Sequence, residues 1–336
     1  MEPVHDTLGR PIQDLRISVT DRCNFRCTYC MPKEIFGPGY QFLSQQELLS
    51  FDEIERLSRL FASLGVRKLR LTGGEPLLRP GLLGLIERLA LIPNIDELTM
   101  TTNGTLLAKH ARDLKAAGLD RVSVSLDAMD DGTFRDMNDV GFEVEPILSA
   151  IDVAVKAGLE PVKVNMVVKR GINEDQILPM AERFRHSGQI LRYIEFMDVG
   201  TTNGWQLEDV VPARQIVDRI QRVYPLEPVK PNYRGEVANR YRYLDGAGEI
   251  GIIASVSQPF CGDCSRVRLS ADGKLYTCLF ASQGHDLRAL LRQEVDDPSL
   301  IAAISTIWRK RSDRYSEERT AQTADLPKVE MHFIGG

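Results

Sequence analysis

Hydrophobic and polar residues alternate with period two in six short stretches, and the intervening segments carry apolar residues at helical spacing. The alternating runs are 14–20 (DLRISVT), 68–72 (KLRLT), 96–102 (DELTMTT), 121–127 (RVSVSLD), 162–168 (VKVNMVV) and 191–197 (LRYIEFM). Residues 50–65 read as a helix with a Ser50/Glu53 capping box and a stop at Gly65. Helical segments also stop at Gly118 and Gly158, and a fourth opens on Asn173 as its cap and stops at Gly188. Six βα units in a row predict a parallel sheet, open or curled into a barrel.

The alternation separates two faces. Leu15, Ile17, Val19, Leu69, Leu71, Val122, Val124, Leu126, Val162, Val164 and Met166 share the apolar one, which should pack on helices. Arg16, Ser18, Thr20, Arg70, Thr72, Thr99, Thr101, Ser123, Ser125, Lys163 and Asn165 share the other. A filled barrel interior is mostly Val, Ile and Leu. Buried cations without partners are costly, so this polar face predicts a wet cavity or an anionic ligand. Edge strands with one face in solvent would show the same alternation, and the pattern alone leaves the two readings level. The sixth run does not resolve its phase.

After about residue 200 the βα rhythm breaks at "TTNGW" and "YPLEPVKPNYRGE". Runs at "EIGIIASV" and "RVRLSADGKLYTCLF" read as antiparallel strands, the second a hairpin over Asp272-Gly273. A helix, "PSLIAAISTIWRKR", follows. The expected division is 1–200 for the partial barrel and 201–336 for a C-terminal region.

Composition adds bounds. The 336 residues are 43% hydrophobic and 26% charged, which argues against disorder. A net charge of -5 argues against a general nucleic-acid binder. No apolar run could cross a bilayer and the opening residues lack a signal pattern, so no membrane partner is expected and the cytoplasm is the default.

Six cysteines form two groups of three: Cys23, Cys27 and Cys30, then Cys261, Cys264 and Cys278. That is a poor disulfide framework and a good pattern for two metal sites. The first group, C-x3-C-x2-C, follows the first strand, at the end of a parallel sheet where sites are built. Three thiolates can hold three irons of a [4Fe–4S] cluster and leave the fourth open. A zinc site completed by a distant ligand, or three buried thiols, are the plainer readings; the histidines, His5, His110, His186, His285 and His332, are scattered and expected on the surface.

"CNFRCTYC" resembles the signature of radical S-adenosylmethionine (SAM) enzymes. The resemblance implies that the amino and carboxylate groups of SAM occupy the open iron. One electron from the cluster then cleaves the sulfonium to a 5′-deoxyadenosyl radical. "TGGEP" (72–76) resembles the SAM-binding motif of that family, implicating Gly73, Gly74 and Glu75. By the same resemblance Tyr29 lies against the adenine, and Ser125 and Met197 are at SAM.

The second group, C-x2-C-x13-C, again lacks a fourth ligand. Alone it could be an incomplete zinc ribbon; as a repeat of the first it predicts a second cluster with a second open iron. Arg266 and Arg268 lie two apart on one strand face. They read as surface cations worth little, or as a phosphate clamp joined by Arg16, Arg70 and Lys163. Charge-assisted bonds of roughly 1.5–3 kcal/mol each could then supply most of the ~8 kcal/mol of a micromolar affinity.

Taken in order, "LRISVTDRCNFRCTYCMP", "LRLTGGEP", "MTTNG", "VSLD", "KVN", "IEFMDVG", "CGDCSRVRLSADGKLYTCLF", "DRYSEERTAQ" and Gly335-Gly336 resemble the GTP 3′,8-cyclase family of molybdenum cofactor biosynthesis. The resemblance implies an incomplete (β/α)6 TIM-like barrel and a C-terminal α+β region carrying the second [4Fe–4S] cluster. It implies GTP held by Arg16, Arg70, Thr101, Lys163, Arg266, Val267 and Arg268, with guanine on the second cluster. The adenosyl radical takes the C3′ hydrogen, C3′ attacks C8, and a further electron and proton complete 3′,8-cyclo-7,8-dihydro-GTP. Implied partners are a reduced flavodoxin- or ferredoxin-type donor and a cyclic pyranopterin monophosphate synthase; the resemblance leaves room for a homodimer. Gly335-Gly336 reads as a frayed terminus on sequence alone, whereas the resemblance sends it into the active site. Residues 136–146 match no motif. The rivals are a radical SAM peptide maturase and a zinc-stabilised binding module.

Overall fold

The computed structural model describes residues 4–320, 323 and 326–335. The six predicted strands form as β1 (Asp14–Ser18), β2 (Lys68–Thr72), β3 (Glu97–Thr102), β4 (Arg121–Ser125), β5 (Lys163–Val168) and β6 (Ile190–Glu195). They pair in parallel and in sequence order, with Arg16 opposite Arg70 and Lys163 opposite Ser123. The helices between them are α1 (Phe51–Ser63), α2 (Leu82–Ala90), α3 (Leu107–Ala116), α4 (Asp131–Asn138), α5 (Val144–Lys156) and α6 (Ile177–Phe184).

The two faces separate as the alternation requires. Leu15, Ile17, Leu69, Leu71, Val122, Val124, Val164 and Met166 are fully buried in one core with Leu57 and Phe61 of α1, Leu85 of α2 and Ile151 of α5. Removing a side chain such as Leu57 down to Ala should cost about 2–5 kcal/mol. The Ser50/Glu53 capping box of α1 is present, with Glu53 N–H on Ser50 Oγ at 3.1 Å and Ser50 N–H on Glu53 Oε2 at 2.7 Å.

Asn173 departs from its expected role. It caps nothing: its Nδ2 donates to the carbonyls of Asp127 and Val167, both at 2.8 Å, and its Oδ1 accepts from Lys169 N–H. The chain takes a short 3-10 turn first, and α6 begins at Ile177 and ends four residues before Gly188.

Beyond residue 200 lie α7 (Ala213–Gln221), β7 (Leu226–Val229), β8 (Asn239–Tyr243), β9 (Glu249–Ile253), β10 (Arg266–Leu269), β11 (Lys274–Tyr276) and β12 (His285–Asp286). The chain ends in α8 (Leu287–Arg292), α9 (Asp297–Arg309), α10 (Tyr315–Glu318) and α11 (Met331–Ile334). The expected β10–β11 hairpin is antiparallel. These strands extend the first sheet at both ends, in the order β12-β11-β10-β1-β2-β3-β4-β5-β6-β9-β8-β7. β10 runs parallel to β1, and β9 parallel to β6. The sheet curls, so that residues from β1, β6, β9 and β10 line one chamber. No helix among the described residues is long and apolar enough to cross a membrane.

Candidate active site

The loop after β1 is wound tightly around its cysteines. Cys30 N–H and Met31 N–H both bond the carbonyl of Cys27, at 2.9 and 2.8 Å. Arg26 staples the loop by donating to the carbonyls of Cys23, Phe25 and Phe36 at 2.7–2.8 Å. Residues 136–146, unassigned in the sequence, buttress it from behind: Arg26 N–H bonds Asn138 O at 3.0 Å and Thr28 N–H bonds Met137 O at 3.1 Å. Phe25 packs on Phe134 and Phe142.

Burial raises all three thiols, Cys23 to about 11 and Cys27 and Cys30 further. Cys23 and Cys30 each add repulsion at Cys27. Such thiols ionise only where a cationic group replaces the proton. Among the described residues no three His, Cys, Asp or Glu side chains converge as a single metal ion requires. Three thiols on one tight loop with no fourth ligand fit an iron–sulfur cluster with one open iron.

The TGGEP loop presses against this one. A Cβ on Gly73 (φ +139°) would lie 2.3 Å from Thr20 O, and one on Gly74 2.2 Å from Arg22 O. Only glycine permits that approach. Gly74 N–H and Glu75 N–H bond Thr20 O and Arg22 O at 2.9 and 2.8 Å. The Glu75 side chain, fully buried, turns the other way and accepts from Leu77 N–H (3.1 Å), Thr102 Oγ1 (2.8 Å) and Asn103 N–H (2.7 Å). Burial lifts its carboxyl to about 7 against those bonds. Asn103 in turn reaches Asn24 Oδ1 at 2.8 Å.

Tyr29 packs with Met137 and Phe196 and donates its hydroxyl to Asp127 Oδ2 at 2.8 Å. Ser125 stands at the end of β4 opposite Asn165. Met197 lines the chamber just past β6.

The chamber itself is a partly enclosed cavity. Arg16, Arg70, Thr101, Lys163, Arg266, Arg268 and all of Cys261, Cys264 and Cys278 line it. Val267 does not: its side chain is in the core opposite Leu15, as the alternation of β10 demands. Burial lowers the pKa of Arg16, and Arg268, Arg70 and Arg266 lower it further; Arg268 and Arg70 stand opposite Arg16 on the two flanking strands. Burial and neighbouring cations bring Lys163 down to about 7. Arg16 Nε, Arg70 Nε and Arg266 NH1 are buried without a hydrogen-bond partner. A polyanion would satisfy all of these groups at once.

Around the second triad, Arg266 NH2 lies 3.1 Å from Cys264 Sγ. Burial would raise the Cys264 thiol, but Arg266 and Arg311 outweigh it and hold it at about 6. Arg268 donates to the carbonyl of Gly335. Gly336 and residues 321–322 of the "DRYSEERTAQ" motif lie outside the described residues.

Sequence reasoning missed Arg192, Lys68 and Arg121, which also line the chamber. Arg192 donates to Asn165 Oδ1 at 2.9 Å and Ser123 Oγ at 3.1 Å. It lies on the run whose phase was ambiguous, because Leu191, Tyr193, Ile194 and Phe196 put apolar groups on both faces. Asp198 was missed too; it binds Arg319 at 2.8 Å and Lys328 at 3.0 Å and ties the C-terminal segment to the end of β6. His332, expected on the surface, is buried against Phe36 and Tyr40.

Comparison with known proteins places this architecture. Residues 17–184 match the radical SAM superfamily, and residues 189–317 match the molybdenum cofactor synthesis C-terminal family. The chain is 50% identical over 360 residues to a GTP 3′,8-cyclase of Acidothermus cellulolyticus, covering 100% of this chain and 99% of that one. It is 52% identical over 334 residues to a GTP 3′,8-cyclase of Xanthomonas axonopodis pv. citri, covering 99% of each. Among solved structures, Streptococcus suis SuiB bound to its precursor peptide SuiA superposes with a TM-score of 0.59 at 14% identity, over 89% of this chain and 68% of that one. That likeness shows the fold alone. The class is thus the radical SAM enzymes, with their [4Fe–4S] cluster and SAM. Within it, the chain belongs to the GTP 3′,8-cyclase family of molybdenum cofactor synthesis, enzymes whose substrate is GTP.

Proposed function

We propose that the chamber holds GTP between two iron–sulfur clusters, the first on Cys23, Cys27 and Cys30 and the second on Cys261, Cys264 and Cys278. The observation that carries this is charge: ten Arg and Lys side chains line the chamber against four carboxylates, in a protein of net charge -5. Such a concentration of cations focuses a polyanion to one place. The first cluster, with SAM, supplies the one-electron cleavage that starts radical chemistry at the ribose.

The chain's own residues do the positioning. Arg16, Arg70, Lys163, Arg192 and Arg268 hold the triphosphate, while Arg266 stands between it and Cys264. Gly73, Gly74 and the backbone after β2 shape the SAM side, with Tyr29, Ser125 and Met197 around the nucleoside. The walls exclude water and fix C3′ against the SAM side and C8 above it, which is most of what a cyclisation asks of an enzyme. Residues 1–200 carry the SAM-cleaving half, and 201–336 the half that receives guanine. Reading the six unpaired thiols as metal ligands supports a reducing compartment. A flavodoxin- or ferredoxin-type donor upstream and a cyclic pyranopterin monophosphate synthase downstream complete the scheme.

Oxygen-free reconstitution with GTP, SAM and reductant tests the reading. Deoxyadenosine formation should depend on GTP and match the 3′,8-cyclised product in amount. Deoxyadenosine formed at the same rate without GTP, or GTP recovered unchanged, overturns it.

A further inference from the structure

The second cysteine loop is gripped by charges that no sequence pattern singled out. Arg10 is fully buried, and its Nε pairs with Asp6 Oδ2 at 2.5 Å. Its NH1 donates to the carbonyl of Cys261 at 2.7 Å and to that of Asp313 at 2.8 Å. Arg311, just past α9, donates to the carbonyl of Cys264 at 2.7 Å and to the same Asp6 Oδ2 at 3.2 Å. Asp6 Oδ1 accepts from Leu8 N–H and Arg10 N–H, both at 2.9 Å. Trp308 closes the cluster: its Nε1 bonds Arg10 O at 3.0 Å, and the Arg311 guanidinium lies 4.5 Å from its ring.

We propose that Asp6, Arg10 and Arg311 are positioning residues for the second cysteine triad, and that the balance of their charges sets the reduction potential of the group bound there. The proposal rests on the reading of that triad as cluster ligands. Two of its three cysteines flank a single 3-10 turn, Cys261–Asp263, in which Cys264 N–H bonds Cys261 O at 3.2 Å. Fixing both carbonyls with charge-assisted bonds fixes the peptide planes, and so the direction in which both sulfurs leave the backbone. Asp6 sets the spacing of the two guanidinium groups, because one oxygen serves both. Two cations stand against two carboxylates behind the ligands, Asp6 and Asp313, whose Oδ2 lies 3.2 Å from Arg311 Nε, so removing one charge of either sign unbalances the set. Net charge and burial are among the levers that set a cluster potential, and partners behind the ligands hold metal 10–100-fold tighter.

The test uses the chain carrying Cys23→Ala, Cys27→Ala and Cys30→Ala, so that any iron reports the second triad alone. If this parent binds no cluster, the two-cluster reading fails and the proposal with it. If it does, Asp6→Asn and Arg311→Gln should each lose iron to a chelator about tenfold faster. Their midpoint potentials should move in opposite directions, up for Asp6→Asn and down for Arg311→Gln. Arg311→Lys keeps the charge, so its potential should stay near the parent's while its iron retention falls. Unchanged retention and potential in all three overturn the proposal with the cluster reading intact. Iron loss that merely follows global unfolding in circular dichroism, with no opposed shift in potential, makes the network scaffold and also overturns it.

Discussion

Arg268 reaches from β10 to the carbonyl oxygen of Gly335, so one arginine expected at the triphosphate also holds the chain near its end. Gly335 sits at φ +71°, and a Cβ there would lie 2.2 Å from Thr72 Cγ2. Gly335→Ala should therefore push the segment off the barrel mouth. We expect product yield to fall at least tenfold while SAM binding and the melting temperature barely move. A single-turnover assay beside a thermal melt decides it, and full yield in the variant removes the tail from the site.

Lys163 is lowered from 10.5 to about 7 by burial first, then by Arg121, Arg192, Lys68 and Arg70. A bound triphosphate cancels that repulsion and should restore the proton. At pH 8 GTP binding should take up a proton, and affinity should weaken as pH rises above about 7. Titration calorimetry in two buffers of different ionisation enthalpy measures the uptake. Lys163→Met should abolish it, and equal uptake in the variant assigns the proton elsewhere.

Glu75 titrates at about 7 in the folded chain, because burial outweighs its three hydrogen bonds, against an ordinary 4.5. The folded state therefore binds more protons than the unfolded one between these values, and stability falls as pH rises through that window. Above 7 the cost is complete. Glu75→Gln should lack this slope, while its amide meets the Asn103 N–H donor and costs about 1–3 kcal/mol. Urea midpoints at pH 5 and 7.5 compare the slopes; parallel lines would show that Glu75 titrates normally.

Asn138 makes four side-chain bonds: to the carbonyls of Phe134 (2.6 Å) and Phe142 (3.0 Å), and from the N–H groups of Val140 (3.1 Å) and Phe142 (3.2 Å). Its own carbonyl supports Arg26 in the cysteine loop. Asn138→Ala should cost about 2–4 kcal/mol and release iron from the first triad before the second. Equal iron retention at both triads counts against the buttress.

The parallel sheet was legible because its strands alternate cleanly. Arg16, Arg70 and Lys163 mark a polar face since each is flanked by residues that must be buried, but alternation alone does not tell a chamber from solvent on that face. Arg192 escaped because apolar residues occupy both faces of its strand. The buttress of 136–146 escaped for another reason: it acts through backbone carbonyls, and these leave no residue-type signature. His332 looked exposed because an isolated polar residue gives no hint of Phe36 and Tyr40, some 300 positions earlier. Asp6 and Arg10 were invisible likewise, since their partners lie about 250 to 300 residues away. Local periodicity reports which way a side chain faces, not which distant segment arrives to meet it.

The pairing of β1 with β10, and of β6 with β9, bears on how the protein is made. During synthesis the first six strands emerge with two open flanks, each a template for sticking to another chain. Strand β10 follows β1 by some 250 residues, so that flank stays unsealed until most of the polypeptide has left the ribosome. A gene cut near codon 200 should thus yield insoluble aggregates rather than a half-sized enzyme, and iron loading should come after the last strand is in place.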